Sequence, residues 1–213
     1  MKHKSVAIVA HSNIEWVSKA DLKPYSFIIG VDRGAFVLLQ KGITPDVAIG
    51  DFDSVTKKEM EEIRIKVTKV QQYPKDKDQT DLELAVTHAL TLHPGEITLF
   101  GTTGGRLDQS LAALHLLRTI HEQKCVAMMK DEHNLLTLVS GKCKIEKNKQ
   151  FPYFSVLPAS DEIVVSIFGC QYPLVKHRMK KGTTLGVSNV IVSSDAEIHV
   201  HEGTAYCICS RDV

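Results

Sequence analysis

The hexapeptide Ile49-Gly50-Asp51-Phe52-Asp53-Ser54 decides how the rest of the chain is interpreted. It continues the apolar run Val47-Ala48-Ile49, which predicts the end of a buried strand. If strand geometry persists, the carboxylates of Asp51 and Asp53 point to the same side. Two such carboxylates repel each other unless a cation neutralises them, and Mg²⁺ accepts one or two carboxylates together with phosphate oxygens and water. A simple turn is the alternative, because Asp, Gly and Ser are common turn residues.

The composition is that of one large globular domain or two small ones. The chain has 213 residues, of which 43% are hydrophobic and 24% charged, and its formal net charge is +1. A nearly neutral chain without a basic run argues against a nucleic-acid-binding protein. The apolar runs are too short for a signal peptide or a membrane span, and the five cysteines form no C-x-x-C pair. We therefore expect a cytoplasmic protein that binds neither nucleic acid nor membrane.

Short apolar runs alternate with helical patterns up to about residue 131. Leu82, Ala85 and Ala89 share one helical face, and Leu107 and Leu111 begin a second such pattern. This alternation predicts an α/β fold, with a mostly parallel, Rossmann-like sheet, flanking helices and ligands at the C-terminal strand ends. The predicted strands are Ser5–Ala10, Phe27–Val31, Val47–Ile49, Thr68–Gln72, Ile97–Phe100 and Cys125–Met129.

The pattern changes after residue 131, where no long helical period is visible. Short strand-like segments follow one another with glycines and prolines between them, which predicts a C-terminal antiparallel β-sandwich. We therefore expect two domains, residues 1–131 and 132–213. The predicted strands of the second domain are Leu135–Val139, Lys142–Glu146, Phe154–Leu157, Ile163–Phe168, Val190–Ser193, Ile198–Val200 and Ala205–Ser210.

A second pair of acids lies in the segment Lys77-Asp78-Gln79-Thr80-Asp81-Leu82-Glu83. Asp78 is a candidate helix cap, and Thr80 with Glu83 is a candidate capping box. A cap does not explain why Asp78 and Asp81 both follow a predicted strand at the same sheet edge as the first pair. Four carboxylates that converge there require a cation.

The loop Gly101-Thr102-Thr103-Gly104-Gly105-Arg106-Leu107-Asp108 joins a predicted strand to a predicted helix. Its glycines allow backbone N–H groups to approach an anion, and Arg106 is suited to bind phosphate oxygens. The alternative is a glycine-rich turn with Asp108 as the helix cap. The loop matches neither the P-loop pattern nor the dinucleotide-binding fingerprint.

Taken in order, these segments closely resemble the thiamine pyrophosphokinase family over nearly the whole chain. That resemblance implies an α/β catalytic domain, residues 1–131, and a β-sandwich, residues 132–213, that binds thiamine and forms a homodimer. It implies transfer of pyrophosphate from ATP to the hydroxyl of thiamine, with Mg²⁺ required and AMP released. The matching segments are Gly30–Ala35, Gly42–Asp46, Gly50–Ser54, Lys77–Ala85, Gly104–Asp108, Tyr172–Leu174, Gly186–Asn189 and Ser210–Asp212.

The same resemblance implies a set of functional residues. The implied metal ligands are Asp51, Asp53 and one or both of Asp78 and Asp81, and the catalytic set adds Arg106 and Asp108. The implied ATP-binding residues are Asp32, Arg33, Gly34, Gly104, Gly105 and Arg106. The implied thiamine-binding residues are Asp32, Gln79, Asp108, Thr184, Ser188 and Asn189, the last two across the dimer interface.

Two other functions fit part of the sequence. One is a pyrophosphokinase for another heterocyclic alcohol, such as a hydroxymethylpterin, and the other is a non-catalytic thiamine or nucleotide sensor. Ser188-Asn189 and the β-domain favour thiamine over a pterin. The full set of acids argues against a sensor, which has no need of a metal cluster.

Overall fold

The chain divides between Asp131 and Glu132 into two compact units. The computed structural model describes residues 5–212, so residues 1–4 and 213 of the two predicted domains lie outside the described residues. The first unit is a parallel sheet with helices and the second is built of antiparallel strands. This confirms the fold class that the sequence predicts.

Within its described residues, the first unit contains six strands and five helices. Each predicted strand of this unit agrees with the observed one to within one residue at either end. The strands are β1 (Ser5–Val9), β2 (Phe27–Val31), β3 (Val47–Gly50), β4 (Lys69–Gln72), β5 (Glu96–Phe100) and β6 (Val126–Lys130). The helices are α1 (Lys19–Leu22), α2 (Arg33–Gln40), α3 (Lys57–Lys66), α4 (Asp81–Leu90) and α5 (Leu107–Glu122).

The strand order of this sheet is β6-β5-β1-β2-β3-β4, and neighbouring strands are parallel. The chain leaves β1 towards β2 on one side and returns as β5 on the other, where Val9 pairs with Phe100. Such a switch in strand order opens a crevice beyond the carboxyl ends of the strands. The loops that follow β1, β2, β3 and β5 therefore meet at one edge of the sheet.

Both faces of the central strand β1 are covered. Val6, Ala7, Ile8 and Val9 are all fully buried, which is typical of a parallel strand between two layers of helices.

The five cysteines of the chain are free thiols. Among residues 5–212, no helix is both long enough and apolar enough to cross a membrane.

The buried face of α5 differs from the predicted one. Leu107 and Leu111 are 69% and 48% exposed, so the apolar stripe expected to begin with them is wrong at its start. The buried residues of α5 are Ala113, Leu117 and Ile120, at positions i, i+4 and i+7. The packed face therefore begins one turn further along the helix than the leucine spacing indicates.

The second unit is organised around one long strand. In the described residues, β12 pairs antiparallel with β7, β8 and β9, while β10 lies on β9 and β11 on β8. Phe154, Val156 and Ile198 are among the buried residues that form its hydrophobic core. The strands are β7 (Asn134–Glu146), β8 (Tyr153–Pro158), β9 (Glu162–Phe168), β10 (Leu174–Lys180), β11 (Asn189–Val190) and β12 (Asp195–Ser210).

Two pairs of predicted strands prove to be single strands. Gly141 (φ 80°) lies within β7 and Gly203 (φ 77°) within β12, so each glycine bends a continuous strand instead of ending it. The pairing of β12 with β7 shifts register between Val200 and Ala205, beside the second bend. Strand β10 has no counterpart in the prediction, because Met179 is its one buried residue.

Candidate active site

The loop after β3 brings its two carboxylates together by a turn. The strand ends at Gly50, and Phe52 adopts φ 60° with its ring buried. The backbone N–H of Asp53 donates to Asp51 Oδ1 at 3.0 Å. Strand geometry therefore does not continue through this segment, because the buried Phe52 lies in the left-handed region.

Asp32 reaches the same place from the end of β2. Its backbone has φ 48° and ψ −126°, and its N–H donates to the carbonyl of Ile49 at 2.8 Å. The hydroxyl of Ser54 donates to Asp32 Oδ2 at 2.5 Å. Asp32 Oδ1 is buried and has no hydrogen-bond partner among the described residues. One carboxylate oxygen is thus held in place while the other is left for a ligand.

Asp32, Asp51 and Asp53 form a three-carboxylate cluster. Each offers an oxygen, and these oxygens lie within 4.8 Å of one another. Gly50 makes the close approach possible, because a Cβ at this position would lie 3.0 Å from the Cα of Asp32. The cluster therefore depends on neighbouring strands whose ends are in near contact.

Two lysines of the loop after β4 lie against these acids. Lys75 Nζ is 2.6 Å from Asp53 Oδ2, and Lys77 Nζ is 3.1 Å from both Asp51 Oδ2 and Asp81 Oδ1. Asp81 is the first residue of α4. Sequence reasoning assigned no role to either lysine, although Lys77 directly precedes Asp78 in the second acidic segment.

The pKa values of the two acids beside Lys77 shift in opposite directions. Burial raises the pKa of Asp51, but the Asp53 N–H and Lys77 outweigh it, and the pKa is lowered. Burial also raises the pKa of Asp81, with a contribution from the charges of Asp51 and Asp32 that Lys77 does not offset. The surroundings therefore favour the ionised form of Asp51 and disfavour that of Asp81.

A cavity of about 370 Å³ opens beside this cluster at the switch point of the first unit. Its wall includes Asp32, Asp51, Gln79 and Asp81, which the sequence had singled out. Residues that the sequence prediction did not include among the site residues complete the wall. They are Ala10, His11, Ser12, Val31, Lys75, Lys77, Thr80, Leu82, Gly101, Thr102, Gln109, Ala112 and Leu116.

Thr102 is the most informative of these additional residues. It is 7% exposed, and within the described part of the chain its Oγ1 has no hydrogen-bond partner. A buried hydroxyl without a partner is rare unless a ligand or water satisfies it. Thr102 lies two residues after the end of β5, so the switch point between β1 and β5 was the signal that would have pointed to it.

Three of the predicted ATP- and metal-binding residues do not line the cavity in the described structure. Arg33 donates to the carbonyl of Ser54 at 2.9 Å and pairs with Glu59 at 3.3 Å, which ties the metal loop to α3. Gly34 packs on β1, because a Cβ there would lie 2.4 Å from the Val9 carbonyl oxygen. Asp78 is exposed and does not contribute to the described cavity wall.

The glycine-rich loop and its arginine lie at the surface. Gly104 and Gly105 are exposed, and Arg106 pairs through two nitrogens with Asp108, at 3.2 and 2.5 Å. Arg106 occupies the N-cap position of α5, so Asp108 does not cap this helix. Arg106 and Asp108 are therefore together and accessible, but in the described structure neither lines the cavity.

The N-terminus of α4 settles which cap the second acidic segment uses. Thr80 is the N-cap, and its hydroxyl accepts the backbone N–H of Glu83 at 3.2 Å. The Glu83 carboxylate instead accepts from Gln79 Nε2 at 3.1 Å. Asp78 is not the cap, which leaves it without a structural role at this helix.

The predicted thiamine-binding residues of the second unit differ in exposure. Thr184 and Ser188 are exposed, and Ser188 has φ 59° with its N–H bonded to Ser155 Oγ at 3.1 Å. Asn189 is 5% exposed, and its amide bonds to the backbone of Tyr172 on both sides. Asn189 thus has a structural role, and Ser188 and Thr184 are the members of this set that are accessible to a ligand.

Family models match both units. Residues 19–129 match the thiamin pyrophosphokinase catalytic domain, and residues 142–205 match the thiamin pyrophosphokinase vitamin B1 binding domain. The chain belongs to the thiamine pyrophosphokinase family. The activity of this family is transfer of pyrophosphate from ATP to thiamine, so the chain is an ATP-dependent pyrophosphotransferase with ATP as its co-substrate.

Individual relatives agree with this assignment to the thiamine pyrophosphokinase family. The chain is 35% identical over 186 residues to thiamine pyrophosphokinase of Bacillus subtilis, covering 86% of this chain and 87% of that protein. The crystal structure of the Bacillus subtilis enzyme matches with a TM-score of 0.88 at 33% identity, over 99% of this chain and 100% of that one. That of Geobacillus thermodenitrificans matches with a TM-score of 0.84 at 30% identity, over 98% of each.

Proposed function

We propose that the cavity of the first unit binds the triphosphate of ATP as a Mg²⁺ complex and that Asp32, Asp51 and Asp53 hold the metal. The observation that carries this proposal is the convergence of three carboxylate oxygens within 4.8 Å. Asp32 takes the place that the sequence prediction gave to Asp78, because Asp32 belongs to the three-carboxylate cluster of the described residues and Asp78 does not. Asp81 lies close by on the other side of Lys77.

The residues present fit Mg²⁺. The donor set is made of hard carboxylate oxygens, which is the chemistry that Mg²⁺ prefers. The buried Asp32 Oδ1 lacks a partner among described residues, as expected of an atom that awaits a ligand. When bound, Mg²⁺ supplies positive charge to the phosphate oxygens and aligns them for attack.

The residues of the chain contribute position and charge. Asp32 is fixed by Ser54, and Asp51 is fixed by the Asp53 N–H and by Lys77. Holding two reactants in line can remove about 7–11 kcal/mol of a reaction barrier, so rigid ligands are as important as charged ones. We propose that Arg106, with its guanidinium oriented by Asp108, contacts phosphate oxygens from the exposed glycine loop.

We further propose that the second unit binds thiamine and that the chain works as a homodimer. The match of residues 142–205 to a vitamin B1 binding domain supports the first part. Exposed apolar side chains on this unit, including Tyr172, Val175, Leu185 and Val192, support the second, because such side chains are common at interfaces. Contact of Ser188 and Thr184 with thiamine remains a prediction, and so does a cytoplasmic location, with which five free thiols agree.

The test is incubation of the purified protein with ATP, Mg²⁺ and thiamine, followed by product analysis. We expect AMP and thiamine pyrophosphate in equal amounts, and no turnover when EDTA removes the metal. Production of ADP and thiamine monophosphate would refute the reaction type. A hydroxymethylpterin in place of thiamine serves as the control substrate, and we expect no transfer to it. Light scattering tests the dimer, which a fully active monomer would exclude.

A further inference from the structure

The side chain of Lys77 lies inside the carboxylate site. Its ammonium is 3.1 Å from Asp51 Oδ2 and 3.1 Å from Asp81 Oδ1, and it donates to the carbonyl of Pro74 at 3.0 Å. Its side chain is 14% exposed, and those of Asp51 and Asp81 are 12% and 20% exposed. This cation is thus bound on three sides and shielded from water.

Lys75 provides a natural comparison in the same loop. It carries the same charge and pairs with Asp53 at 2.6 Å, but its side chain is 78% exposed and that of Asp53 is 47% exposed. Exposed ion pairs contribute little to stability, whereas loss of one partner from a shielded pair leaves an uncompensated charge. The two lysines therefore differ in burial and not in chemistry.

Lys77 leaves one oxygen of the three-carboxylate cluster without a partner in the described structure. It contacts Asp51 through Oδ2, while Asp51 Oδ1 accepts the Asp53 N–H. It does not contact Asp32, whose Oδ1 is the buried oxygen without a described partner.

We propose that Lys77 is a positioning residue. Its ammonium holds the carboxylates of Asp51 and Asp81 together in the metal-free protein. The site is therefore already assembled before Mg²⁺ and ATP bind. Without Lys77, two shielded carboxylates face each other and Asp32, and the exposed Lys75, which pairs with Asp53, is a weak substitute for a buried countercharge until the metal binds. The inference rests on the proposed function for the role of the metal. Its stability test does not, because that test is made without metal.

The experiment compares Lys77→Met with Lys75→Met by thermal unfolding in EDTA and again in excess Mg²⁺. We expect Lys77→Met to lower the Tm in EDTA by several degrees and Lys75→Met to leave it almost unchanged. We also expect the rise in Tm on adding Mg²⁺ to be larger for Lys77→Met than for the wild type, because the metal then supplies the missing countercharge. Lys77→Arg, which keeps the charge, should recover most of the Tm in EDTA.

A double variant keeps the test decisive if Lys77→Met folds poorly. Lys77→Met combined with Asp81→Asn removes both partners, so it should be more stable in EDTA than Lys77→Met alone. Equal effects of Lys77→Met and Lys75→Met, or a double variant less stable than the single one, would overturn the proposal. If wild-type protein shows no Mg²⁺-induced rise in Tm, the metal site proposed above fails, and the measurements in EDTA still decide the role of Lys77.

Discussion

The side-chain amide of Asn189 is bonded to both backbone groups of Tyr172. Its Oδ1 accepts the Tyr172 N–H at 3.1 Å, and its Nδ2 donates to the Tyr172 carbonyl at 2.9 Å. Both residues belong to segments that carry the family resemblance. The two segments are thus in contact with each other through these hydrogen bonds. The contact holds the connection between β9 and β10, which contains Tyr172, next to β11.

We predict that Asn189→Leu destabilises the second unit, because Asn189 is 5% exposed and the substitution removes both of its hydrogen bonds to the backbone of Tyr172. Each buried group left unsatisfied costs about 1–3 kcal/mol of unfolding free energy. Urea unfolding measures the loss. Asn148→Leu is the matched control, because the exposed Asn148 accepts one backbone N–H, that of Phe151 at 2.8 Å, whereas Asn189 bonds to two backbone groups of Tyr172. We expect the control to lose less stability. Equal stability of the two variants would contradict the structural role of Asn189.

We predict that Asp51→Asn and Asp53→Asn each abolish turnover while leaving the fold intact. Each variant removes a negative charge from the proposed metal site, and the lost charge stabilisation amounts to several kcal/mol, on the order of 100-fold or more in rate. Formation of AMP measures the rate, and calorimetric titration with Mg²⁺ measures binding. Glu61→Gln, at an exposed position of α3, controls for the general effect of charge. Near-normal turnover by either aspartate variant would exclude it as a metal ligand.

The sequence left open which acid of the second pair serves the site, and the structure favours Asp81. Asp81 lines the cavity and contacts Lys77, whereas Asp78 is exposed. We predict that Asp81→Asn lowers kcat/KM for ATP far more than Asp78→Asn does. Steady-state kinetics at fixed Mg²⁺ checks this, with Asp76→Asn as the exposed control from the same loop. A larger effect at Asp78 would return it to the metal site.

We predict that Gly50→Ala impairs metal binding more than folding. The added Cβ would lie 3.0 Å from the Cα and 3.2 Å from the Cβ of Asp32, so that residue has to shift by a few tenths of an ångström. The concentration of Mg²⁺ for half-maximal activity should rise, with a small fall in Tm. Gly105→Ala should keep the wild-type Tm, because nothing lies within 4 Å of a Cβ there. An unchanged Mg²⁺ requirement in Gly50→Ala would show that Asp32 tolerates displacement.

We predict that Cys143 is the most reactive thiol of the chain near neutral pH. A hydrogen bond from the Cys207 thiol lowers the pKa of Cys143 to about 7 against the opposing effect of burial, whereas burial raises the pKa of Cys125 and Cys209 to about 11. The thiolate is the reactive form, so labelling by iodoacetamide should increase as the pH rises through about 7. Mass spectrometry identifies the labelled residue. Cys143→Ser should remove the fast phase, and fast labelling of Cys125 instead would contradict the assignment.

The parallel sheet could be predicted because most of its strands are continuous apolar runs in the sequence. Buried runs such as Val6 to Val9 are apolar at every position, and no helix of that length competes with them. The antiparallel unit was harder. The local chemistry of Gly141 and Gly203 predicts turns, yet cross-strand pairing resumes beyond both bends, with a register shift at Gly203. Exposed β10 carries almost no apolar pattern, so its pairing with β9 decides its conformation.

The candidate site was predictable in its acids but not in its geometry. Asp32, Asp51 and Asp81 follow strands of one sheet edge, so topology alone predicts that they meet. The turn at Phe52 and the contact of Lys77 with two acids depend on how neighbouring loops pack. A lysine next to an aspartate in sequence has no preferred partner until the fold is known, and this is why its role was missed.

The unusual backbone at Asp32 and Phe52 has a consequence for protein engineering. Both residues have positive φ. This backbone conformation is strained for a residue with a side chain, whereas glycine adopts it freely. Glycine at position 32 would relax the main chain and remove a proposed ligand of the metal. Glycine at position 52 would relax the turn and leave a cavity in the hydrophobic core where the Phe52 ring packs. Attempts to make this enzyme more heat-resistant should therefore leave these two positions alone and look for gains far from the catalytic edge.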